Sequence, residues 1–279
     1  MTGIKIIVLI FNLLNHYFFS ETIKMKKLLP LLSTFAAITL FTSCQKETVN
    51  DQQSPPAAKV KTYSEEITSS YTGHIVSNYD LTYDASDRLI SIISTTSPGT
   101  KVLLTYASAT KYSMEIYDAS IITIHEDFYL NGNSFVDSTF QYNDSKDSST
   151  EKYVYNTSNQ LTKLYEYDYS KLTGGILSNI TTSTYNTDGD LTSATDTYKN
   201  TDTYEYNTDL IYATPHIIGP ITTNSAKKSH LIKKYTLTSN GSVVASATYT
   251  YTFDSDNRIS TEKETFTDGT VFIKSYTYF

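Results

Sequence analysis

The chain has 279 residues, a formal net charge of −7, one cysteine, and 25 Tyr and 12 Phe but no Trp. From Cys44 onward the chain keeps 18 basic and 28 acidic residues, because residues 1–43 hold four Lys and one Glu. This acidic balance excludes nucleic acid as a partner, since it repels a phosphate backbone. A single cysteine excludes an internal disulfide framework.

Two apolar segments stand at the N-terminus. The second begins at Met25 with MKKLLPLLSTFAAITLFTSC, in which two lysines precede an apolar stretch and small residues lead to Cys44. This is the layout of a secretory signal peptide, and its apolar stretch is short for a membrane span. We therefore predict that residues 1–43 are a signal peptide with a spurious extension, 1–24, and that Met25 is the true start. A membrane-anchoring helix in residues 1–24 is the alternative.

Cys44 ends this segment. Cleavage before the cysteine and acylation of its thiol resemble bacterial lipoprotein processing, although Phe41 stands where Leu is usual. We predict lipidation of Cys44, with an ordinary signal peptide and an incidental cysteine as the alternative. Residues 44–60 are polar and contain proline, which predicts a flexible tether. Within them, Gln45-Lys46-Glu47 resembles the export signal that sends some Bacteroidota lipoproteins to the cell surface.

Residues 61–279 alternate strand-like segments with turn residues. Thr248–Phe253 alternates hydroxyl and aromatic side chains, and Tyr165–Tyr169 alternates tyrosines with acids, so that each separates two faces of a strand. We predict two-residue hairpin turns from dipeptides whose residues accept positive φ angles: Asn131-Gly132, Gly174-Gly175, Asp188-Gly189, Asn240-Gly241 and Asp268-Gly269. Ser97-Pro98-Gly99 is a further turn signal. The expectation is an all-β antiparallel meander of about sixteen strands, closed into a barrel or strongly curved, with no helix after residue 43.

One hairpin motif recurs at irregular spacing: an aromatic residue, Asp or Asn, a short polar turn, and then Leu or Ile. We expect the aromatic residue to end one strand and the aliphatic residue to start the next. The copies are Tyr83–Leu89, Tyr155–Leu161, Tyr185–Leu191 and Phe253–Ile259.

The motif is similar to the tyrosine–aspartate repeats of large secreted bacterial β proteins. The C-terminal half also resembles a family of Bacteroidota lipoproteins of unknown function with a porin-like β-barrel fold. The features that carry this second resemblance are Asn224–Lys234, the TYTYTFDSDNRIS stretch, the terminal SYTYF and the cysteine motif. The resemblance implies a barrel and an outer-envelope location, and it implies no activity.

The barrel itself is expected to be soluble rather than membrane-spanning. A spanning strand needs a lipid-facing row of apolar residues. In the last strand, Ser275 and Thr277 occupy the positions that alternate with Tyr276 and Tyr278. We therefore prefer a lipidated soluble barrel, and a transmembrane barrel is the less favoured alternative.

The sequence predicts no metal site. The five histidines, of which none pairs with another at metal-ligand spacing, are His16, His74, His125, His216 and His230. We interpret His125-Glu126-Asp127 as a polar strand end. Acid-rich turns suggest calcium as an alternative, but no bidentate acid closes any of these loops: Asn143–Asp147, Asp188–Asp190 and Asp254–Asn257. Among them, Asp254–Asn257 is the preferred calcium candidate.

The sequence also predicts no enzyme and no cofactor. It lacks a Gly-x-Ser-x-Gly motif and a phosphate-binding glycine loop. The adjacent Glu65 and Glu66 would point to opposite faces of a strand, which is poor geometry for shared acid–base work.

The hairpin pattern stops between Asn207 and Ser229, where Pro215, Gly219 and Pro220 interrupt any long strand. A packed crossover connection is the preferred interpretation. A binding loop that caps the barrel is the alternative, with Tyr212, His216, Ile217 and Ile218.

Together these features predict a lipid-anchored outer-membrane protein that is exposed at the cell surface and binds a glycan or another envelope protein. A structural envelope component without a small ligand is the alternative. A transmembrane barrel and a hydrolase are less favoured. Apart from Cys44, the sequence identifies no residue with an assigned chemical role, and it does not identify the ligand-binding residues.

Overall fold

The structure is a computed structural model that describes residues 59–97, 99–142, 148–170, 174–212 and 229–279. The described residues form sixteen β-strands: β1 Val60–Ser69, β2 Gly73–Tyr83, β3 Leu89–Ser94, β4 Lys101–Ser108, β5 Lys111–Asp118, β6 Ile121–Leu130, β7 Val136–Tyr142, β8 Ser148–Tyr155, β9 Leu161–Ser170, β10 Gly174–Tyr185, β11 Leu191–Thr195, β12 Asn200–Tyr212, β13 Ser229–Ser239, β14 Ser242–Phe253, β15 Ile259–Phe266 and β16 Val271–Tyr278.

The strands form one closed antiparallel barrel in which each pairs with its neighbours in sequence. Closure is made by β1 and β16, where Tyr63 lies opposite Tyr276 and Glu65 lies opposite Lys274. The prediction of an all-β barrel of about sixteen strands is therefore confirmed. The described residues contain no helix that is long and apolar enough to cross a membrane.

Alternation along the strands sets an inner and an outer face. In β14, Tyr249 and Tyr251 are half-buried and pack against the core, whereas Thr248 and Thr250 are exposed. In β9 the order is reversed, because Leu164 is buried opposite Tyr153 and the acids Glu166 and Asp168 follow it on the inner face. A register shift opposite Tyr155 causes this reversal.

The inner face forms a packed core. Among the described residues, the largest side chains with less than 2% of their surface exposed include Tyr112, Met114, Ile116 and Phe128. A side chain next to a water-filled channel would expose surface to that channel. The described interior beside these residues is therefore filled by side chains, as in a small barrel, rather than open as in a transport pore.

The recurring motif forms one type of turn. In Asp254–Arg258, the Asp254 Oδ1 accepts hydrogen bonds from the backbone N–H of Asp256 (3.0 Å) and of Arg258 (2.8 Å). Asn257 takes a positive φ of 60° in this turn. Asp84, Asn156 and Asn186 begin the other three predicted copies, and in each the Asx side chain caps the turn in the same way.

Two further copies of the turn escaped the sequence motif. They begin at Asn131 and Asp196, where the preceding residues are Leu130 and Thr195 rather than aromatic residues.

The predicted two-residue turns have a mixed outcome. Asn240 and Gly241, with φ angles of 50° and 81°, form the expected tight turn between β13 and β14. The prediction for Gly174-Gly175 was wrong, because both residues begin strand β10. Gly175 lies opposite Tyr169 there, and its lack of a side chain makes room for the Tyr169 ring.

Candidate functional site

Aromatic rings on the outer face are concentrated in the stretch of neighbouring strands from β5 to β9, where they lie on four of the five strands. Among strand residues whose side chains the structure describes, outward aromatic residues occur in these strands alone: Tyr117, Tyr129, Phe140, Tyr142, Tyr165, Tyr167 and Tyr169. We call this set the outer aromatic face. Most other tyrosines of the strands point into the core.

The part of this face on β5 to β7 is held by polar contacts. The His125 and Tyr142 rings stack with their centroids 4.4 Å apart. Nδ1 of His125 lies 3.3 Å from Glu115 Oε1, and its Nε2 lies 3.3 Å from Asp127 Oδ1. Tyr117 Oη donates a 2.8 Å hydrogen bond to Glu115. The rings are thereby fixed in orientation, while 43% of Tyr142 stays exposed.

The part on β8 and β9 combines rings with a cation. Tyr165, Tyr167 and Tyr169 occupy alternate positions of β9, so their side chains form a row along the outer face. Lys152 Nζ lies 5.7 Å from the centre of the Tyr167 ring. Tyr169 packs over the backbone of Gly175, where a β-carbon would come within 2.5 Å of the ring. These contacts arrange the row as a shallow, partly cationic surface.

The outer face elsewhere is built differently. On β14 the outward positions are Thr248, Thr250 and Thr252, and on β16 they include Ser275 and Thr277. Hydroxyl ladders join these strands, for example from Thr252 to Thr261 on β15 at 2.6 Å. Such a surface offers hydrogen bonds but no rings for stacking.

The barrel interior holds a cluster of charged groups around Lys274, whose Nζ lies 2.7 Å from Glu262 Oε1. Burial raises the pKa of Glu65 to about 7, although Lys274 and a hydrogen bond from Tyr63 oppose the rise. Burial likewise raises the pKa of Glu264 to about 7 against the effect of Lys274. For Lys274 burial alone would lower the pKa, but the attraction of the three carboxylates outweighs it and raises the pKa.

Asp202 is another buried acid, and it accepts a hydrogen bond from Tyr235. Burial raises the pKa of Asp202 to about 7 despite this bond. The buried acids lie among core side chains, and we assign them to the structure of the barrel.

The predicted opposite orientation of two adjacent acids is confirmed. Glu65 is buried with 4% of its surface exposed, whereas Glu66 points outward and lies 3.6 Å from His74. The interpretation of His125-Glu126-Asp127 as a strand end was wrong, because these residues lie within β6. Glu126 faces the core, whereas its neighbours His125 and Asp127 face outward, as alternation along a strand requires.

The preferred calcium candidate does not form a calcium site. Both carboxylate oxygens of Asp254 are engaged, since Oδ1 caps the turn and Oδ2 accepts a 2.7 Å bond from Arg258 Nε. Asp256 pairs with the same guanidinium at 2.9 Å. An arginine therefore supplies the positive charge that a cation would bring.

Sequence spacing missed one pair. Asp190 and His230 are 40 positions apart in the chain, and their side chains lie 2.7 Å from each other. They come together because β10, β11, β12 and β13 lie side by side in the barrel.

Several predicted features lie outside the described residues. They are Cys44, residues 1–58, Asn143–Asp147, and Pro215 to Pro220 with His216, Ile217 and Ile218. The gap predicted to begin at Asn207 is shorter than expected, since β12 continues to Tyr212 with an irregular register against β13.

Comparison with known proteins identifies the fold. No protein-family profile and no curated protein matches the chain. A porin-like protein from Bacteroides uniformis ATCC 8492 is similar over 80% of this chain and 98% of that one, with 14% identity and a TM-score of 0.56. A porin-like protein from Bacteroides vulgatus ATCC 8482 covers 80% and 99%, with 11% identity and a TM-score of 0.35. The first likeness agrees with the porin-like barrel expected from the sequence.

Proposed function

We propose that the protein is a lipid-anchored, cell-surface-exposed module of the outer membrane that binds a glycan on the outer aromatic face. The observation that carries this proposal is the concentration of outward aromatic rings in β5 to β9. Rings that served only to pack the sheet would occur in the outward positions all around the barrel. We assign the module no catalytic activity and no cofactor.

The chemistry of this face suits a carbohydrate. The apolar C–H face of a sugar ring stacks on an aromatic ring, and its hydroxyls need nearby hydrogen-bonding groups. Tyrosine supplies both, because its ring is apolar and its hydroxyl donates and accepts. Glu115, His125 and Asp127 lie among the rings and add polar partners.

The hydroxyl-rich part of the outer face supports a barrel that stays outside the bilayer. A spanning barrel needs a continuous apolar band on its outer surface. Hydroxyl residues such as Thr248, Thr250 and Ser275 occupy the middle of outward rows here. Membrane attachment is therefore assigned to an acylated Cys44 and the tether that follows it. The tether ends where β1 begins, at Val60.

A glycan array with residues 45–279 tests the binding proposal; this fragment contains every strand of the closed barrel. We expect Tyr142→Ala and Tyr167→Ala to weaken binding of the glycan that the unchanged protein selects. Tyr71→Ala is the matched control, because Tyr71 is 85% exposed in the turn after β1, away from the aromatic face. Silence of the whole array would favour the alternative, a structural envelope component without a small ligand.

Labelling with a radioactive fatty acid tests the anchor. The full chain is expected to incorporate the label and to fractionate with the outer membrane, and Cys44→Ala is expected to lose both properties. Protease treatment of intact cells should digest the domain if it faces outward. A domain that resists protease on intact cells but is digested in lysed cells would contradict surface exposure.

A further inference from the structure

Three ligand-type side chains converge at the end of the barrel where β10 turns into β11. Asp188 and Asp190 belong to this turn, and His230 stands at the start of β13. One ligand atom from each of the three lies within 4.8 Å of the other two. His230 Nδ1 is 2.7 Å from Asp190 Oδ2, and the His230 backbone N–H donates to Asp190 Oδ1 at 3.3 Å.

Asp190 is a buried acid that pairs with no Lys or Arg among the residues that the structure describes. Its side chain is 1% exposed, and His230 is its only ion-pair partner among the described residues. A buried carboxylate needs a compensating charge as well as hydrogen bonds. A metal ion held beside Asp190 can supply that charge.

The internal repeat shows that this acid is not required by the turn. Asp190 is the fifth residue of the turn that begins at Asn186. The same position in the other five copies holds a basic, amide or aromatic residue: Arg88, Phe135, Gln160, Asn200 and Arg258. In three of these copies the side chain donates to the first residue of the turn or pairs with it. Asp190 Oδ2 likewise bonds within the turn, where it accepts from Asn186 Nδ2 at 3.0 Å, but it also contacts His230, which lies outside the turn at the start of β13. The other five copies have no acid at their fifth position to make such a contact.

His125 also lies between two acids, but there the three groups do not face one common point. Glu115 and Asp127 flank His125, but they contact opposite nitrogens of its ring. No single ion could contact all three groups there. Around His230 the two acids and the imidazole approach one common point.

We propose that Asp188, Asp190 and His230 bind a zinc-class divalent cation at this end of the barrel. An imidazole nitrogen together with carboxylate oxygens suits Zn²⁺ and neighbouring first-row metals, whereas Ca²⁺ takes oxygen ligands alone. The ion binds His230 Nδ1 in place of the hydrogen bond between that nitrogen and Asp190 Oδ2, and the neutral imidazole then carries its one proton on Nε2. Water completes the coordination of the ion.

Titration of residues 45–279 with Co²⁺ tests this proposal, because Co²⁺ absorbs visible light when it is bound by protein ligands. Competition with Zn²⁺ then reports the affinity for zinc. We expect Asp188→Asn and His230→Gln each to weaken Co²⁺ and Zn²⁺ binding by about tenfold or more, as is common for changes at metal sites. Ca²⁺ should not displace the bound Co²⁺.

The variants separate the site from chance binding at the surface. Asp188 is exposed, so Asp188→Asn leaves the fold intact even if His230→Gln does not. His74→Gln and His125→Gln are matched controls, since each removes an outer-face histidine that lies near an acid. The proposal is overturned if no Co²⁺ binds, or if only the control variants reduce the binding. This site lies outside the outer aromatic face, so failure of either proposal leaves the other untouched.

Discussion

The hydroxyl of Tyr106 on β4 donates a 2.8 Å hydrogen bond to the backbone carbonyl of Leu89, the first residue of β3. Six other tyrosines at the same end of the barrel donate in the same way to a carbonyl at or near the start of the preceding strand. The pairs, at 2.7 to 3.0 Å, are Tyr83–Val60, Tyr155–Val136, Tyr185–Leu161, Tyr206–Leu191, Tyr251–Ile232 and Tyr278–Ile259. Each of these tyrosines thus links its own strand to the preceding one, and three of them, Tyr83, Tyr155 and Tyr185, are the aromatic residues of copies of the repeat.

Loss of one such hydroxyl should destabilise the barrel measurably. Tyr185→Phe keeps the ring but removes the donor to the Leu161 carbonyl. We expect the free energy of unfolding to fall by about 1 kcal/mol, the usual net value of one intramolecular hydrogen bond. Urea unfolding measures this change.

Tyr71→Phe provides the control for this substitution. Tyr71 is 85% exposed in the turn after β1, so its hydroxyl is hydrated before and after unfolding. Equal effects of the two substitutions would contradict the linking role of Tyr185.

The repeat shows how far the sequence could predict this fold. The pattern of Tyr83 to Leu89 correctly placed a strand end, a turn and a strand start. It did not predict the bond from each tyrosine to the preceding strand, because the acceptor is a backbone carbonyl whose place is set by the pairing of the two strands. Sequence alternation does not reveal the register of this pairing.

Stability should fall as pH rises from about 4.5 to about 7. Glu65 and Glu264 have pKa values raised from 4.5 to about 7 in the folded barrel, mainly by burial. A raised folded pKa means that the folded state binds protons more tightly than the unfolded state. The stabilisation is complete below 4.5 and is lost as pH passes through 7, on the order of 3 kcal/mol per carboxyl. Urea unfolding at several pH values measures it.

Glu65→Gln and Glu264→Gln should each flatten this pH dependence. The amide keeps the shape of the protonated acid but cannot ionise. Asp84 provides the opposite sign as an internal reference, because the hydrogen bond from Arg88 lowers its pKa in the fold. Its contribution is present above 3.8 and is lost as pH falls further. An unchanged slope in both Gln variants would contradict the assignment.

The turn Asp254–Arg258 should tolerate loss of the Asp256 carboxylate but not of the Asp254 carboxylate. Asp254→Ala removes an oxygen that accepts two backbone N–H bonds and a carboxylate that pairs with Arg258. We expect it to cost about 1–2 kcal/mol, since the half-buried N–H of Arg258 and the exposed N–H of Asp256 lose their acceptor. Asp256→Ala removes only an exposed partner of Arg258 and should cost less than about 1 kcal/mol. Thermal unfolding of both variants compares them, and a larger loss in Asp256→Ala would contradict this account.

The candidate binding face was less predictable than the fold. The alternation of tyrosines and acids in Tyr165–Tyr169 correctly predicted two separate faces of the strand. It did not predict which of the two faces points into the barrel. The register shift opposite Tyr155 decides this, and it turns the tyrosines of β9 outward. The Asp190–His230 contact was hidden for another reason, since it joins residues from strands that become neighbours only through barrel topology.

Gly175 tests whether the position of a ring controls ligand binding. A β-carbon at Gly175 would come within 2.5 Å of the Tyr169 ring, so Gly175→Ala must displace that side chain. Because the ring is the mobile end of an outward side chain, we expect a stability loss below about 1 kcal/mol. We expect weaker binding of the glycan selected on the array, measured by calorimetry. Gly132→Ala is the control, since nothing lies within 4 Å of its β-carbon position. Unchanged binding in Gly175→Ala would remove Tyr169 from the binding face and leave the other six rings of the outer aromatic face.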